Sequence, residues 1–307
     1  MTHWMKRENS GLAYTTLELV EEEERQGHQI RVHEPSVQTP ILSKFDGPPD
    51  LHCIHSQLGM ETYHDGLPKF MWMHGEPLGS VGNTISMRAI VDLAPTCEAF
   101  LCMRQEEWPI WNAIRRTYLV PKGIDLHRFR PLNGEAPPML EGEPAVLYYE
   151  NWRGERNPLI LCRAMVEVQK TFPNARLHLY NCPGGKMAET FLKLVNHCRW
   201  YTVIKTIHGP EHDVNALLNR ADIVVSCLSP LYARGIEAFG AGKAFIGPGY
   251  KEHGYPYTCD LEVMSMARAI ITCWGERGKV NFRQWAEQHH DVKDTVKASL
   301  EVYARYL

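Results

Sequence analysis

The chain has 307 residues, of which 44% are hydrophobic and 22% charged, so it is long enough to form two domains that each have a core. Its formal net charge of -3 and its isoelectric point near 6.6 exclude a general electrostatic attraction to nucleic acid or to an anionic membrane. A local basic patch is still compatible with these totals.

Cysteine usage indicates a reducing compartment. The nine cysteines are scattered, form no Cys-x-x-Cys pair and lie mostly in apolar runs, which predicts reduced, buried thiols in a cytoplasmic protein. His52, Cys53 and His55 are close in sequence, but on a strand His52 and Cys53 face opposite sides, so we predict no zinc site there. The opening residues lack an apolar signal core, and no apolar run approaches the roughly 18 residues of a membrane span, so no obligatory membrane insertion is expected.

The first half of the chain alternates between helical and extended patterns. Residues 12–26 combine helix formers with acidic side chains and are followed by Gly27, where a helix C-cap belongs. The acidic run at 21–24 is interpreted as a solvated helix end. Further strands and helices are predicted at 28–35, 50–58, 67–77, 88–93, 99–103, 107–116 and 117–123. The strand at 67–77 ends with His74 at the edge where open α/β sheets bind ligands.

Residues 132–144 are rich in proline, glycine and glutamate and form the clearest linker. After this linker the alternation starts again, which predicts a second series of β-α units and therefore a second parallel sheet. Its elements are predicted at 145–150, 159–172, 175–181, 187–200, 202–209, 213–220 and 221–228. Two such domains facing each other would leave a cleft between the carboxyl edges of their sheets.

The segment 229–249 carries the clearest candidate site. It follows the apolar strand 221–228, enters a helix at Gly235 that Gly242 ends, and leads into a strand at 244–247. Such a loop exposes backbone N–H groups and the positive end of the helix dipole, which favours an anion. Glu237, expected in the first turn of the helix, is placed to accept hydrogen bonds from a sugar diol. A simpler interpretation makes Glu237 only a partner of the helix dipole.

The end of the chain has a long helical pattern over 281–307, with Phe282, Trp285, Tyr303 and Tyr306 available for packing. A last helix of this length either covers the second domain or crosses back to the first. The pattern alone leaves both arrangements open.

Several of these motifs, in the same order, resemble those of the family 4 glycosyltransferases. VPKGIDLHRFRP at 120–131 resembles the family's interdomain signature, with matches at Gly123, Asp125, Phe129 and Pro131. IEAFGAGKAFIG at 236–247 resembles the family's Glu-Ala-Met-Ala-x-Gly-x-Pro-Val segment. MHGEP at 73–77 resembles the histidine-bearing loop that follows a strand of the first domain, and the serine and glycine at 10–11 resemble a reduced form of the family's glycine loop.

The resemblance implies the α/β fold called GT-B, in which two Rossmann-like domains have parallel sheets that face a central cleft. The acceptor-side domain would span 1–133, the donor domain 142–281, and a C-terminal helix at 282–307 would cross back to the first domain. The implied activity is retaining transfer of a sugar from a nucleotide-diphosphate donor, most commonly a UDP-sugar in this family, without a further cofactor. No Asp-x-Asp motif is present in the sequence, so we expect no divalent metal.

The same resemblance assigns roles to individual residues. Glu237 matches the glutamate that family members use on the nucleotide ribose, and His74 would contact the donor sugar near the reacting bond. Arg156, with Arg153, would neutralise the leaving diphosphate. The predicted catalytic residues are His74, Arg156 and Glu237. The predicted donor-binding residues are Gly11, Arg153, Arg156, Ser229, Arg234, Gly235, Ile236 and Glu237.

Two positions depart from the family pattern. Ser229 stands where the family usually has a second glutamate, and Asn151 stands at its first diphosphate-binding arginine. The missing glutamate keeps open the alternative of a noncatalytic protein that binds a nucleotide sugar. A nucleotide-sugar 2-epimerase is a second alternative, because such enzymes share this fold. The acceptor is also left open among a glycan, a lipid, a protein and a modified DNA base.

Overall fold

The protein is described by a computed structural model that covers residues 1–4, 11–33, 42–43, 49–55, 66–73, 83–133, 138–150, 158–180, 186–198, 204–207, 213–227, 233–248 and 255–307. By spatial contact the chain divides into two units. The first comprises Met1–Asp125 and His289–Leu307, and the second comprises Leu126–Gln288. The sequence instead predicted that the first domain ends at residue 133 and that the chain returns to it from residue 282.

Strands and helices alternate through both units. The strands are β1 (Thr2–Trp4), β2 (Arg31–His33), β3 (Leu42–Ser43), β4 (His52–Ile54), β5 (Lys69–Met73), β6 (Ala99–Cys102), β7 (Thr117–Leu119), β8 (Ala145–Tyr148), β9 (Arg176–Tyr180), β10 (Ile204–Ile207), β11 (Ile223–Val225), β12 (Ala244–Pro248) and β13 (Thr258–Cys259). The helices are α1 (Gly11–Arg25), α2 (Asn83–Leu93), α3 (Trp108–Ile114), α4 (Leu159–Thr171), α5 (Lys186–His197), α6 (Val214–Asn219), α7 (Ala233–Gly240), α8 (Val263–Gly275), α9 (Phe282–His289) and α10 (Val292–Tyr303).

The first unit contains a seven-stranded sheet in the order β3-β2-β1-β4-β5-β6-β7. Its neighbouring strands are parallel except for the short edge strand β3, which runs antiparallel to β2. β5 and β6 are buried along their whole length, because helices cover both faces of a parallel sheet. The apolar runs that predicted these two strands therefore form the centre of the core.

The C-terminal helix α10 belongs to this first unit. The ring of Tyr303 lies 4.6 Å from that of Phe70 on β5, and the indole nitrogen of Trp72 donates to the Tyr303 hydroxyl at 2.9 Å. The expectation that the last helix crosses back to the first domain is therefore confirmed. The aromatic residues at the end of the chain are the contacts that hold the helix there.

The long helical pattern at 281–307 forms two helices, so the prediction of one last helix is wrong. The carboxylate of Asp291 caps the second helix by accepting from the backbone N–H of Lys293 at 3.0 Å. Ile124 donates to the carbonyl of His290 at 3.0 Å and accepts from the backbone of Val292 at 3.1 Å. The strand-like pairing with Ile124 takes the place of the helical hydrogen bonds at this break.

The acidic run of α1 is not the solvated helix end that the sequence predicted. Glu22 and Glu23 are buried, at 2% and 0% exposure. Arg25 lies 2.8 Å from Glu22 and 2.8 Å from Asp125, so one guanidinium neutralises two carboxylates that are themselves buried. The chain beyond the helix thus supplies a second partner for the same arginine, which local sequence does not reveal.

The second unit contains a six-stranded parallel sheet in the order β10-β9-β8-β11-β12-β13. The chain builds outward from β8 through β9 and β10, and then returns to the other side of β8 to place β11, β12 and β13. The strand order therefore reverses between β8 and β11, which are hydrogen-bonded neighbours. In open α/β sheets ligands bind outside the carboxyl ends of the strands at such a reversal.

Candidate functional site

Three segments of the second unit meet at the reversal of its strand order. Tyr149 and Glu150 directly follow β8, and Ser226 and Cys227 directly follow β11. The third segment is α7, which connects β11 to β12. All three segments therefore lie at the carboxyl edge of the sheet, where the fold concentrates ligand-binding groups.

Helix α7 carries the predicted ribose-binding glutamate. The helix begins at Ala233, two residues before Gly235, so Glu237 lies in its second turn and the prediction of a first-turn position is wrong. Gly235 is then the third helical residue, and its backbone N–H still belongs to the first turn, whose N–H groups have no partner within the helix. The positive end of the helix dipole is on the same side.

The end of α7 agrees with its prediction. Gly242 has a φ of +74°, and its backbone N–H donates to the carbonyl of Phe239 at 2.9 Å. Lys243 donates to the carbonyl of Ala238 at 2.8 Å. These two bonds are those of a Schellman motif, which requires the left-handed conformation that glycine adopts without strain.

An aromatic cluster holds α7 on the sheet. Phe239 is fully buried and stacks on Phe282 of α9 at 5.7 Å between ring centroids, with planes 8° apart. Trp285, also on α9, approaches it edge-on at 4.9 Å, and Phe245 on β12 does so at 6.0 Å. Aromatic pairs of this kind add to the free energy gained by burial. The backbone that carries Glu237 is therefore firmly supported.

Glu237 is joined to the end of β8 by Tyr149. The Tyr149 hydroxyl donates to Oε2 of Glu237 at 2.6 Å and lies 3.1 Å from the carbonyl oxygen of Arg234. The Arg234 guanidinium lies over the Tyr149 ring, 4.7 Å from its centroid, and forms a looser ion pair with Oε2 of Glu237 at 3.8 Å. A carboxylate and a guanidinium are thus held side by side at the edge of the sheet.

The protonation of Tyr149 follows from its surroundings. Its side chain is buried, and burial together with the negative charge of Glu237 raises the pKa of Tyr149 well above its ordinary value. The phenol is therefore neutral at physiological pH and acts as a hydrogen-bond donor. Sequence reasoning missed Tyr149, although its place at the carboxyl end of the first strand of the second unit was a usable signal.

A second carboxylate lies at the same edge. Glu150 is 2% exposed, and its Oε1 accepts a hydrogen bond from the hydroxyl of Ser226. This bond ties the end of β8 to the end of β11. Burial, and then the charge of Glu150, raise the pKa of the neighbouring Cys227 thiol to about 12, so this thiol is not ionised at neutral pH.

The predicted donor-site residues fall into two groups. Arg234, Gly235, Ile236 and Glu237 lie together in α7, where Ile236 faces the core and Arg234 is partly exposed. Gly11 is the first residue of α1. Outside the described residues lie His74, Arg153, Arg156 and Ser229.

The described part of the chain contains eight cysteines; all are free thiols, and among them only Cys198 is exposed. Within the same residues, no group of three or more His, Cys, Asp or Glu side chains is arranged to hold a metal ion. His55, from the group considered for zinc, stacks on Trp72 at 5.4 Å. None of the described helices combines the length and the apolar character needed to cross a membrane.

The fold is that of the GT-B glycosyltransferases, as comparison with solved structures shows. HepE of Anabaena in complex with UDP has a TM-score of 0.73 at 12% identity, over 99% of both chains. A glycosyltransferase of Rickettsia africae has the same TM-score and identity, over 99% of this chain and 97% of that one. Sucrose-phosphate synthase of Thermosynechococcus elongatus gives 0.73 at 14% identity, over 99% and 98%. No protein-family model and no curated protein sequence matches the chain.

Proposed function

We propose that the protein is a glycosyltransferase that moves a sugar from a nucleotide-diphosphate donor, with UDP-sugars favoured, to an acceptor hydroxyl. The observation that carries the proposal is the Glu237 carboxylate, held by Tyr149 at the strand reversal of the second unit. Whole-chain similarity to HepE, whose structures contain UDP and UDP-glucose, supports a donor of this class.

The nucleotide ribose would bind to Glu237. An ionised carboxylate only accepts hydrogen bonds, and a ribose offers two adjacent hydroxyl donors. Hydrogen bonds to a charged group are worth about 1.5–3 kcal/mol each, more than neutral ones. The Glu237 side chain is 14% exposed, so these bonds would form in partly desolvated surroundings.

The diphosphate would lie at the beginning of α7. Backbone N–H groups of the first helical turn, including that of Gly235, and the helix dipole favour an anion there. The Arg234 guanidinium on this turn is 37% exposed and adds a positive charge. The resemblance assigns further positive charge to Arg153 and Arg156. Positive charge aimed at the leaving group stabilises the step in which the diphosphate departs.

The proposed reaction retains the configuration at the anomeric carbon. As the bond to the diphosphate breaks, positive charge develops on the sugar ring, and the acceptor hydroxyl attacks from the face that the diphosphate leaves. The leaving diphosphate, neutralised by the arginines, takes up the acceptor's proton, so neither a carboxylate nucleophile nor a divalent metal is needed. His74 would contact the donor sugar, and Ser229 would replace the sugar-side glutamate of the family.

The first experiment is a thermal-shift screen of nucleotides and nucleotide sugars. A ligand at 100 times its dissociation constant stabilises the folded protein by about 2.7 kcal/mol. UDP or a UDP-sugar is expected to give the largest shift. No shift with any nucleoside diphosphate or its sugar would contradict the proposal.

A second experiment separates transfer from its alternatives. Each stabilising UDP-sugar is incubated with the protein without an acceptor, and the products are identified by NMR. Slow hydrolysis that releases the sugar with retained configuration supports a transferase. Conversion into an epimer would indicate the 2-epimerase, and binding without turnover, even with glycan, lipid, protein and modified-DNA acceptors, would indicate a noncatalytic protein.

A further inference from the structure

The buried Tyr149 connects the end of β8 to α7 through its hydroxyl. It is 3% exposed and directly follows β8, yet its hydroxyl contacts α7, a helix more than 80 residues further along the chain. The bond to Oε2 of Glu237 measures 2.6 Å, a length typical of the strong hydrogen bond that a hydroxyl donates to a carboxylate. The hydroxyl is thus directed at the one carboxylate on α7.

We infer that Tyr149 is a positioning residue, which fixes the Glu237 carboxylate as the acceptor for the two ribose hydroxyls of the nucleotide. The inference rests on the proposed function. With Oε2 bound by the phenol, the side chain is held in one orientation, and the other oxygen, Oε1, is left as the main acceptor for the ligand.

The physical basis of the inference is pre-organisation. A glutamate side chain has three rotatable bonds. If the ligand has to order this side chain when it binds, the lost conformational entropy reduces the affinity. A short bond to a buried ring restricts these torsions before the ligand arrives. The ribose then meets an acceptor that is already oriented, so more of the hydrogen-bond free energy contributes to affinity.

Tyr149 is better placed than Arg234 for this role. The Arg234 ion pair with Glu237 is 3.8 Å long, beyond hydrogen-bonding distance, whereas the phenol bond is 2.6 Å. The ring of Tyr149 has a separate function, because it supports the Arg234 guanidinium at 4.7 Å from its centroid. Substitution of Tyr149 by phenylalanine removes the hydroxyl and keeps this ring support.

The test compares UDP with 2′,3′-dideoxyuridine diphosphate, which lacks both ribose hydroxyls, by calorimetry. Wild type is expected to prefer UDP. Tyr149→Phe is expected to weaken UDP binding about five- to tenfold and to change the affinity for the dideoxy analogue less than about twofold. Tyr148→Phe, at a buried tyrosine one position earlier, is the control and is expected to keep the full preference.

A double variant adds a readout that a purely structural role would not produce. Once Glu237→Ala has removed the carboxylate, Tyr149→Phe is expected to cause no further loss of UDP affinity, because the two residues act through one contact. Phenylalanine retains the packing of the ring, and urea unfolding checks that each variant is folded.

The outcomes separate the inference from the proposed function. If Glu237→Ala abolishes the preference for UDP while Tyr149→Phe keeps it, the positioning role is overturned and the donor site stands. If wild type binds UDP and the dideoxy analogue equally well, or if Glu237→Ala still prefers UDP, Glu237 does not bind the ribose hydroxyls. The positioning role and the proposed donor site are then both contradicted. Equal losses of UDP and dideoxy-analogue affinity in Tyr149→Phe would also overturn the positioning role.

Discussion

The guanidinium of Arg283 donates to the carbonyl oxygen of Gly240 at 2.9 Å, at the last residue of α7. The same nitrogen lies 2.6 Å from the carbonyl of Phe129 and 3.1 Å from that of Leu126. One arginine on α9 therefore binds the end of the helix that carries Glu237 and the segment that resembles the family's interdomain signature.

Arg283→Met is expected to lower the free energy of unfolding by about 2–3 kcal/mol, because it leaves these three carbonyl groups without their donor while keeping most of the aliphatic chain. Urea unfolding measures the change. The control is Arg268→Met, at an exposed arginine that donates within its own helix, to Met264 at 3.2 Å, and it is expected to change the free energy by less than about 0.5 kcal/mol. Equal losses in the two variants would show that the Arg283 contacts contribute little.

Gly123 lies directly against the backbone at the beginning of α10. A Cβ atom there would lie 2.5 Å from the carbonyl oxygen of Asp291 and from the backbone of Val292, at the beginning of α10. Gly123→Ala is therefore expected to displace this helix end and to reduce the free energy of unfolding by about 1–3 kcal/mol. Gly275→Ala is the matched control, because nothing lies within 4 Å of its added Cβ. An unchanged free energy of unfolding in Gly123→Ala would contradict this, because it would show that the backbone accommodates the added Cβ without loss of stability.

The sequence predicted the elements whose signals are local. Gly242 ends α7 as expected, since a helix followed by a glycine in the left-handed conformation is a short-range pattern. The break between α9 and α10 was missed because apolar residues continue through it, although Asp291 was a legible cap signal. The burial of Glu22 was missed because its partner Arg25 also reaches Asp125, 100 residues away in the sequence.

The candidate site was predictable only in part. Glu237 was identified from its place after a strand and from the family motif, both of which are readable in one segment. Tyr149 was not, since a tyrosine at the end of an apolar strand has the pattern of a core residue. Its contact with Glu237 depends on the return of β11 to the side of β8, and this strand order is a property of the whole sheet.

His290 is expected to make stability depend on pH. Burial lowers the pKa of His290 to about 4, and its Nδ1 lies 2.7 Å from the carbonyl of Lys122. An unfolded histidine has a pKa near 6.5, so below this pH the unfolded state takes up a proton first. The contribution is therefore present above about pH 6.5 and is lost as the pH falls toward 4.

His290→Asn keeps an N–H donor and cannot titrate in this range. Between pH 7 and 4, the free energy of unfolding of wild type is expected to fall by roughly 3 kcal/mol more than that of His290→Asn. His197→Asn, at an exposed histidine in the last turn of α5, should follow the wild-type curve. Parallel curves for wild type and His290→Asn would contradict the assignment.

The central claim is that the Glu237 carboxylate binds the ribose of a nucleotide diphosphate, and calorimetric titration with UDP tests it most directly. Glu237→Ala is compared with Glu167→Ala, at a glutamate of α4 that is paired with Lys170. The account predicts that Glu237→Ala weakens UDP binding ten- to about a hundredfold and that Glu167→Ala leaves it unchanged. Equal affinities of wild type and Glu237→Ala, or no UDP binding by wild type, would contradict it.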